Sequence, residues 1–160
     1  MSQGLIQPFS CEADYRAAID LALSAANRHL CAFDQDLTGM GLESPLRIAA
    51  LTTFLKNGGR LQLVVHDPAP LEQQRMPRFL GLLRLYRHLA EVRRTPDHLR
   101  RLADCWLLAD QNSGVIRFHR DHPRGKLALE AADEIVPWWR RFDELWIAAE
   151  ACSLGIVMGL

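Results

Sequence analysis

Three short apolar runs, His29–Phe33, Arg60–His66 and Cys105–Ala109, set the framework of the chain. Each is too short for a buried helix and ends in turn residues. Asp34-Gln35-Asp36 follows the first, Asp67-Pro68 the second and Asp110-Gln111-Asn112-Ser113-Gly114 the third, so each run reads as a buried strand. Leu61, Leu63, Val64 and Val65 are nearly continuous, the pattern of a central strand covered on both faces. Val115–Phe118 reads as the hairpin partner of the third run, and Val92-Arg93-Arg94 as a brief edge strand. Between these runs the apolar spacing changes to three and four. Tyr15, Ile19, Ala22, Leu23 and Ala26 predict a helix over 12–28. Ser44-Pro45 opens another with a capping hydroxyl and a proline at the first helical position, and Gly58-Gly59 closes it after Asn57. Phe79, Leu82, Leu83, Tyr86 and Leu89 predict a helix over 70–89, regular only from Pro77 onward. Leu129, Ala132, Ile135, Val136, Trp139, Phe142, Leu145 and Trp146 predict a long helix over 127–149, kinked at Pro137. Helices alternating with apolar strands define an α/β layered domain, a mixed sheet flanked by helices.

At 160 residues, with 49% hydrophobic and 24% charged, the composition excludes disorder and predicts one domain over 1–160, with a core of about 12–150 and an apolar tail at 151–160. No apolar run reaches the roughly 20 residues of a bilayer span. The opening Met-Ser-Gln-Gly-Leu-Ile-Gln-Pro lacks a basic region followed by an apolar stretch, so a cytoplasmic location is expected. The four cysteines, Cys11, Cys31, Cys105 and Cys152, contain no Cys-x-x-Cys pair and read as free thiols.

Formal net charge is zero, yet residues 75–126 carry twelve basic and five acidic side chains, a local excess of +7. Seventeen of the nineteen cations are arginine, whose fork suits phosphate and carboxylate. The densest polar stretch is Arg117–Lys126, where Arg117, His119, Arg120, His122, Arg124 and Lys126 are candidates for a phosphate-binding rim and Gly125 permits close backbone approach. The alternative for this stretch is a solvated loop after the hairpin. His119-x-Asp121-His122 supplies too few converging ligands for a metal, and neither a metal nor a cofactor is expected. Sites in α/β sheets gather at the carboxyl ends of strands, which makes Asp34, Asp36 and His66 cleft candidates if their strands run parallel. Trp138 falls off the apolar stripe of the last helix, so it and residues 151–160 are the candidate contacts for a protein partner.

The chain over about 12–150 resembles the phospholipase D-like superfamily. The resemblance rests on Gly58-Gly59 before the Arg60–Val65 strand, a helix, a short Val-Arg strand, and an apolar strand ending in Asp110 and a turn. In active members that last strand carries His-x-Lys-x-x-x-x-Asp: the histidine attacks phosphorus, the lysine holds the phosphate oxygens, and two copies of the motif face one another. Aligned on Asp110, the histidine position holds Ala103 and the lysine position Cys105, so the motif is degenerate. His98-x-Arg100 followed by Asp104 is one residue short of the pattern. The resemblance, closest to uncharacterised bacterial domains, therefore implies a catalytically silent binding or scaffolding domain. The expected partners are a second copy of the chain and a phosphate-bearing ligand or nucleic acid held by the basic segment. The competing readings are a phosphodiesterase-type hydrolase with displaced catalytic residues drawn from His98, His119 or His122, and a protein-protein interaction module.

Overall fold

A computed structural model of the chain describes residues 4–154. The elements in order are β1 (Leu5–Phe9), α1 (Glu12–Ala25), β2 (His29–Asp34), α2 (Pro45–Lys56), β3 (Arg60–Val65), α3 (Ala69–Glu72), α4 (Pro77–Leu85), β4 (Ala90–Arg94), β5 (Cys105–Ala109), β6 (Ser113–His119), β7 (His122–Leu129), α5 (Ala132–Ala148) and β8 (Glu150–Ala151). All the strands join one eight-stranded sheet in the order β1-β7-β6-β5-β2-β3-β4-β8. β2, β3 and β4 run parallel, and the other neighbours pair antiparallel. The parallel centre follows from the helical crossovers between β2, β3 and β4, and the antiparallel half from the tight turns between β5, β6 and β7.

Alternation along the strands divides the core into two layers. Leu30, Ala32, Leu61, Leu63, Val65, Leu107 and Val115 pack with Tyr15, Ile19 and Ala22 of α1, Leu51 and Leu55 of α2, and Phe79 and Leu83 of α4. Cys31, Phe33, Val64, Trp106, Leu108 and Ile116 face the other way, onto Ile135, Trp139, Phe142 and Leu145 of α5. The central strands are buried on both faces, which is why they read as continuous apolar runs.

Four elements differ from the sequence reading. The long helix predicted from 127 starts only at Ala132, because His122–Leu129 is the strand β7. Lys126 and Ala128 pair opposite Ile116 and Gly114, so the segment expected as a solvated loop is the second arm of a β-hairpin. A Cβ on Gly125 would collide with the Ile116 carbonyl and the Phe9 ring, so this glycine admits a neighbouring strand rather than a ligand. β1 carries no strand signal in the sequence: Leu5 and Ile6 are half-exposed and Pro8 interrupts the pattern, as on an edge strand. The 70–89 helix is two helices, α3 and α4, separated by a turn in which Gln74 takes a left-handed backbone. β4 is not an edge strand, since the two-residue β8 covers Arg93 and Arg94. Beyond β8, Cys152 N–H donates to Val92 and buried Leu154 accepts from Arg84 through its carbonyl, while residues 155–160 of the apolar tail lie outside the described residues.

Trp138 does not stand free of the fold. It is half-buried, 5.7 Å from the Trp106 ring and 5.1 Å from the Arg141 guanidinium. Asp104 ties this cluster together by accepting from both Trp106 Nε1 and Arg141.

Candidate functional site

The strand register brings chemistry to one end of the sheet. β2 runs parallel to β3, with Asp34 opposite Val65, so the carboxyl ends carrying Asp34-Gln35-Asp36 and His66-Asp67 lie side by side. Across the next antiparallel pair, Cys105 begins β5 one step beyond the Phe33–Trp106 pair and faces Arg117 on β6. Two hollows open at this end. One, of about 430 Å³, is lined by Gln35, His66, Asp67, Pro68, Arg94, Arg100 and Arg120. The other, of about 360 Å³, lies toward α1 and shares Gln35 and Arg120 with the first.

The first hollow is a convergence of arginines from three parts of the chain. Arg94 ends β4, Arg100 follows a short 3-10 turn at Asp97–Leu99, and Arg120 sits in the tight turn between β6 and β7. All three are exposed, and among the described residues only Arg100 has an ion-pair partner, the exposed Asp97 at 3.5 Å. The Arg120 backbone N–H donates to the Ala103 carbonyl at 2.8 Å, which pins the hairpin turn over the position where the resemblance expects a histidine.

His66 forms the buried floor and has no ring nitrogen to spare. The Leu102 carbonyl can only accept, so Nε2 donates to it at 2.8 Å, and Nδ1 accepts from the Thr95 hydroxyl at 2.7 Å. Burial, with Arg100 and Arg120 nearby, holds this imidazole below its ordinary range and therefore neutral. The unfolded chain takes up a proton near pH 6.5 that the folded chain refuses, so stability declines as pH falls below about 6.5 toward the depressed folded value. His29, also held down by burial, acts with the same sign. His66→Gln is expected to flatten the decline in urea midpoint between about pH 6.5 and 5. Parallel acid limbs for the variant and the parent chain would refute the assignment.

The second hollow is built around the Arg117–Glu12 ion pair. Arg117 is almost fully buried; it forks onto Glu12 at 2.8 and 3.0 Å, donates to the His119 and Arg120 carbonyls, and stacks 4.7 Å from the Tyr15 ring centre. That fork holds the Glu12 carboxyl below its usual range. Asp34 accepts from the Leu37 and Asp36 backbones and meets the Cys105 thiol. Burial pushes the Asp34 carboxyl up, and burial together with Asp34 pushes the thiol far above its ordinary range, so Cys105 is a neutral, unreactive group. Asp36 caps its own turn through Thr38.

The remaining candidates lie apart. Asp110 is at the opposite end of β5 from Cys105, and its carboxylate accepts from the backbones of Asn27, Arg28 and His29 at 2.8–3.0 Å. It anchors the start of β2 instead of capping its own turn. The His119 and His122 rings lie 5.3 Å apart and tilted, and with Phe118 and Arg124 they line a separate hollow on the hairpin. Lys126 is paired with Glu134 at 2.8 Å. Arg117 and Arg120 are thus the members of the Arg117–Lys126 cluster that reach the cleft. Arg94 and Arg100, which complete the arginine hollow, are marked in the sequence by the position of Arg94 at a strand end and by the place of Arg100 in the His98-x-Arg100 stretch that is one residue short of the pattern.

A mixed sheet with this order, helices on both faces and a polar cleft at the carboxyl ends of its parallel strands is the phospholipase D-like fold. Three solved structures share it. A phospholipase D family member, Nuc from Salmonella typhimurium, superposes with a TM-score of 0.66 at 10% identity over 94% of this chain and 99% of that one. NucT from Helicobacter pylori gives 0.61 at 8% identity over 94% and 100%. TrmBL2, an archaeal chromatin protein described as showing a novel mode of DNA binding, gives 0.69 at 12% identity over 92% of this chain. The chain spans about half of TrmBL2, 54% of its length. By sequence the chain belongs to the family described as domain of unknown function (DUF7931), which matches residues 11–154. No curated protein matches the chain.

Proposed function

We propose that this chain is a phospholipase D-fold domain that binds a phosphate-bearing ligand, free or in a nucleic acid, without cleaving it. The observation that carries the reading is the hollow of Arg94, Arg100 and Arg120 at the carboxyl ends of the parallel strands, floored by an imidazole whose two nitrogens are both engaged. Forked guanidinium groups from separate elements suit a tetrahedral anion approached from several sides. The groups near that hollow do not support attack on phosphorus: His66, its floor, is a ring held by Thr95 and Leu102, Cys105 in the neighbouring hollow is a neutral thiol, and position 103 is an alanine. The basic excess of residues 75–126 and the DNA binding in the description of TrmBL2 both support a nucleic acid as the source of the phosphate.

Titration of the full chain with inorganic phosphate and with a single-stranded oligonucleotide tests the proposal. Each of Arg94→Ala and Arg120→Ala is expected to weaken phosphate binding about tenfold or more, the value of one charge-assisted hydrogen bond. For the oligonucleotide, affinity is expected to fall steeply with salt, and each substitution to reduce the slope of log K against log salt by about 1. Binding that is negligible at all salt levels, or indifferent to both substitutions, would remove the proposal.

A further inference from the structure

The two hollows differ in electrostatic character although they share Gln35 and Arg120. The first has three exposed arginines, one of them paired with Asp97, against a single lining carboxylate, Asp67, already engaged by the Ala69 backbone. The second is lined by three arginines and four carboxylates: Arg117 is paired with Glu12, and Arg16 and Arg120 line it together with Asp34, Asp36 and Asp121. This second hollow therefore offers little net field to an anion. It offers instead a set of hydrogen-bonding groups, the Gln35 amide, the Thr38 hydroxyl and the Asp36 and Asp121 carboxylates. Among the described residues, Asp36 is engaged through Oδ1, by the backbone and hydroxyl of Thr38, which leaves Oδ2 as an acceptor. Its lining contains no aliphatic side chain to take up an acyl chain. A charged group is directed to the first hollow, and an uncharged group rich in hydroxyls to the second.

We infer that the cleft takes a sugar phosphate, with the phosphate on Arg94, Arg100 and Arg120 and the sugar hydroxyls on Gln35, Asp36 and Thr38. This assigns the ligand class of the site proposed above and rests on that reading. A sugar hydroxyl donating to Oδ2 of Asp36 adds to the hold on a phosphate seated among the arginines, so the two contributions separate experimentally.

Calorimetric titration of the full chain with inorganic phosphate and with ribose 5-phosphate tests the inference. Ribose 5-phosphate is expected to bind about tenfold more tightly than phosphate, the equivalent of one or two additional hydrogen bonds. Asp36→Ala and, as a milder second variant, Thr38→Val are expected to remove most of that gain while leaving phosphate affinity unchanged. A single-stranded RNA tetramer then separates the sources: an Asp36-dependent gain with the tetramer supports sugar phosphate held within a polymer, and a gain confined to ribose 5-phosphate supports a free sugar phosphate. Equal affinities for phosphate and ribose 5-phosphate, or a gain indifferent to both variants, would overturn the inference and leave the arginine site standing. Binding of neither compound would overturn both.

Discussion

Asp110→Ala is expected to destabilise the fold by about 3 kcal/mol, lowering the melting temperature by roughly 6–12 °C for a chain of this size. Two losses combine. Three backbone N–H groups, those of Asn27, Arg28 and His29, lose a shared carboxylate acceptor where the chain enters β2. Asp110 also has a left-handed backbone, φ 53°, which aspartate and asparagine tolerate better than alanine, a difference of about 1 kcal/mol. Asp110→Asn retains the backbone preference and one acceptor oxygen and should recover about half of the loss. Thermal unfolding of the three proteins checks the order, and an alanine variant as stable as the parent would show that the anchor is not needed. This result bears on the motif as well. Asp110 is the residue on which the pattern is aligned, and its work is to hold the hairpin end of β5 to the start of β2, at the far end of the sheet from the cleft.

Arg117→Ala is expected to cost about 2–3 kcal/mol and to weaken phosphate binding at the same time. The guanidinium is buried and engages Glu12, two backbone carbonyls and the Tyr15 face, so truncation leaves the His119 and Arg120 carbonyls without a donor and opens a gap over the ring. The cost falls below that of a fully buried pair because Glu12 is about half exposed and regains water. Arg117→Lys should not restore the parent, since an ammonium cannot fork onto Glu12 and reach both carbonyls. The functional effect follows from position: Arg117 braces the turn that carries Arg120 into the cleft. Urea unfolding gives the stability change, and phosphate titration of the folded variant gives the second. Full phosphate affinity in a destabilised Arg117→Ala would break the link between brace and site.

The strands legible in the sequence were those buried on both faces. β2, β3 and β5 form nearly continuous apolar runs because α1, α2 and α4 cover one side and α5 the other, and no helix period can be fitted to so few residues. β7 was hidden because its Leu129 continues the three- and four-residue spacing of α5, so the apolar stripe extended backwards across a turn where Glu130 takes a left-handed backbone. β1 gave no signal because it is a half-exposed edge. In the cleft, Asp34, Asp36 and His66 were found from the rule that sites gather at strand ends, and the same rule applied to β4 would have reached Arg94. Arg100 has no such marker; it arrives through a 3-10 turn. The work of Asp110 was out of reach because its partners lie 81–83 positions earlier in the chain.

Phosphorus NMR of the full chain with a phosphodiester tests the central claim most directly, since one spectrum reports both binding and cleavage. The account predicts a broadened or shifted diester resonance, reversed by Arg94→Ala, with an integral that stays constant over hours. A growing monoester resonance that disappears on histidine substitution would contradict it, as would a diester resonance that never responds to the protein.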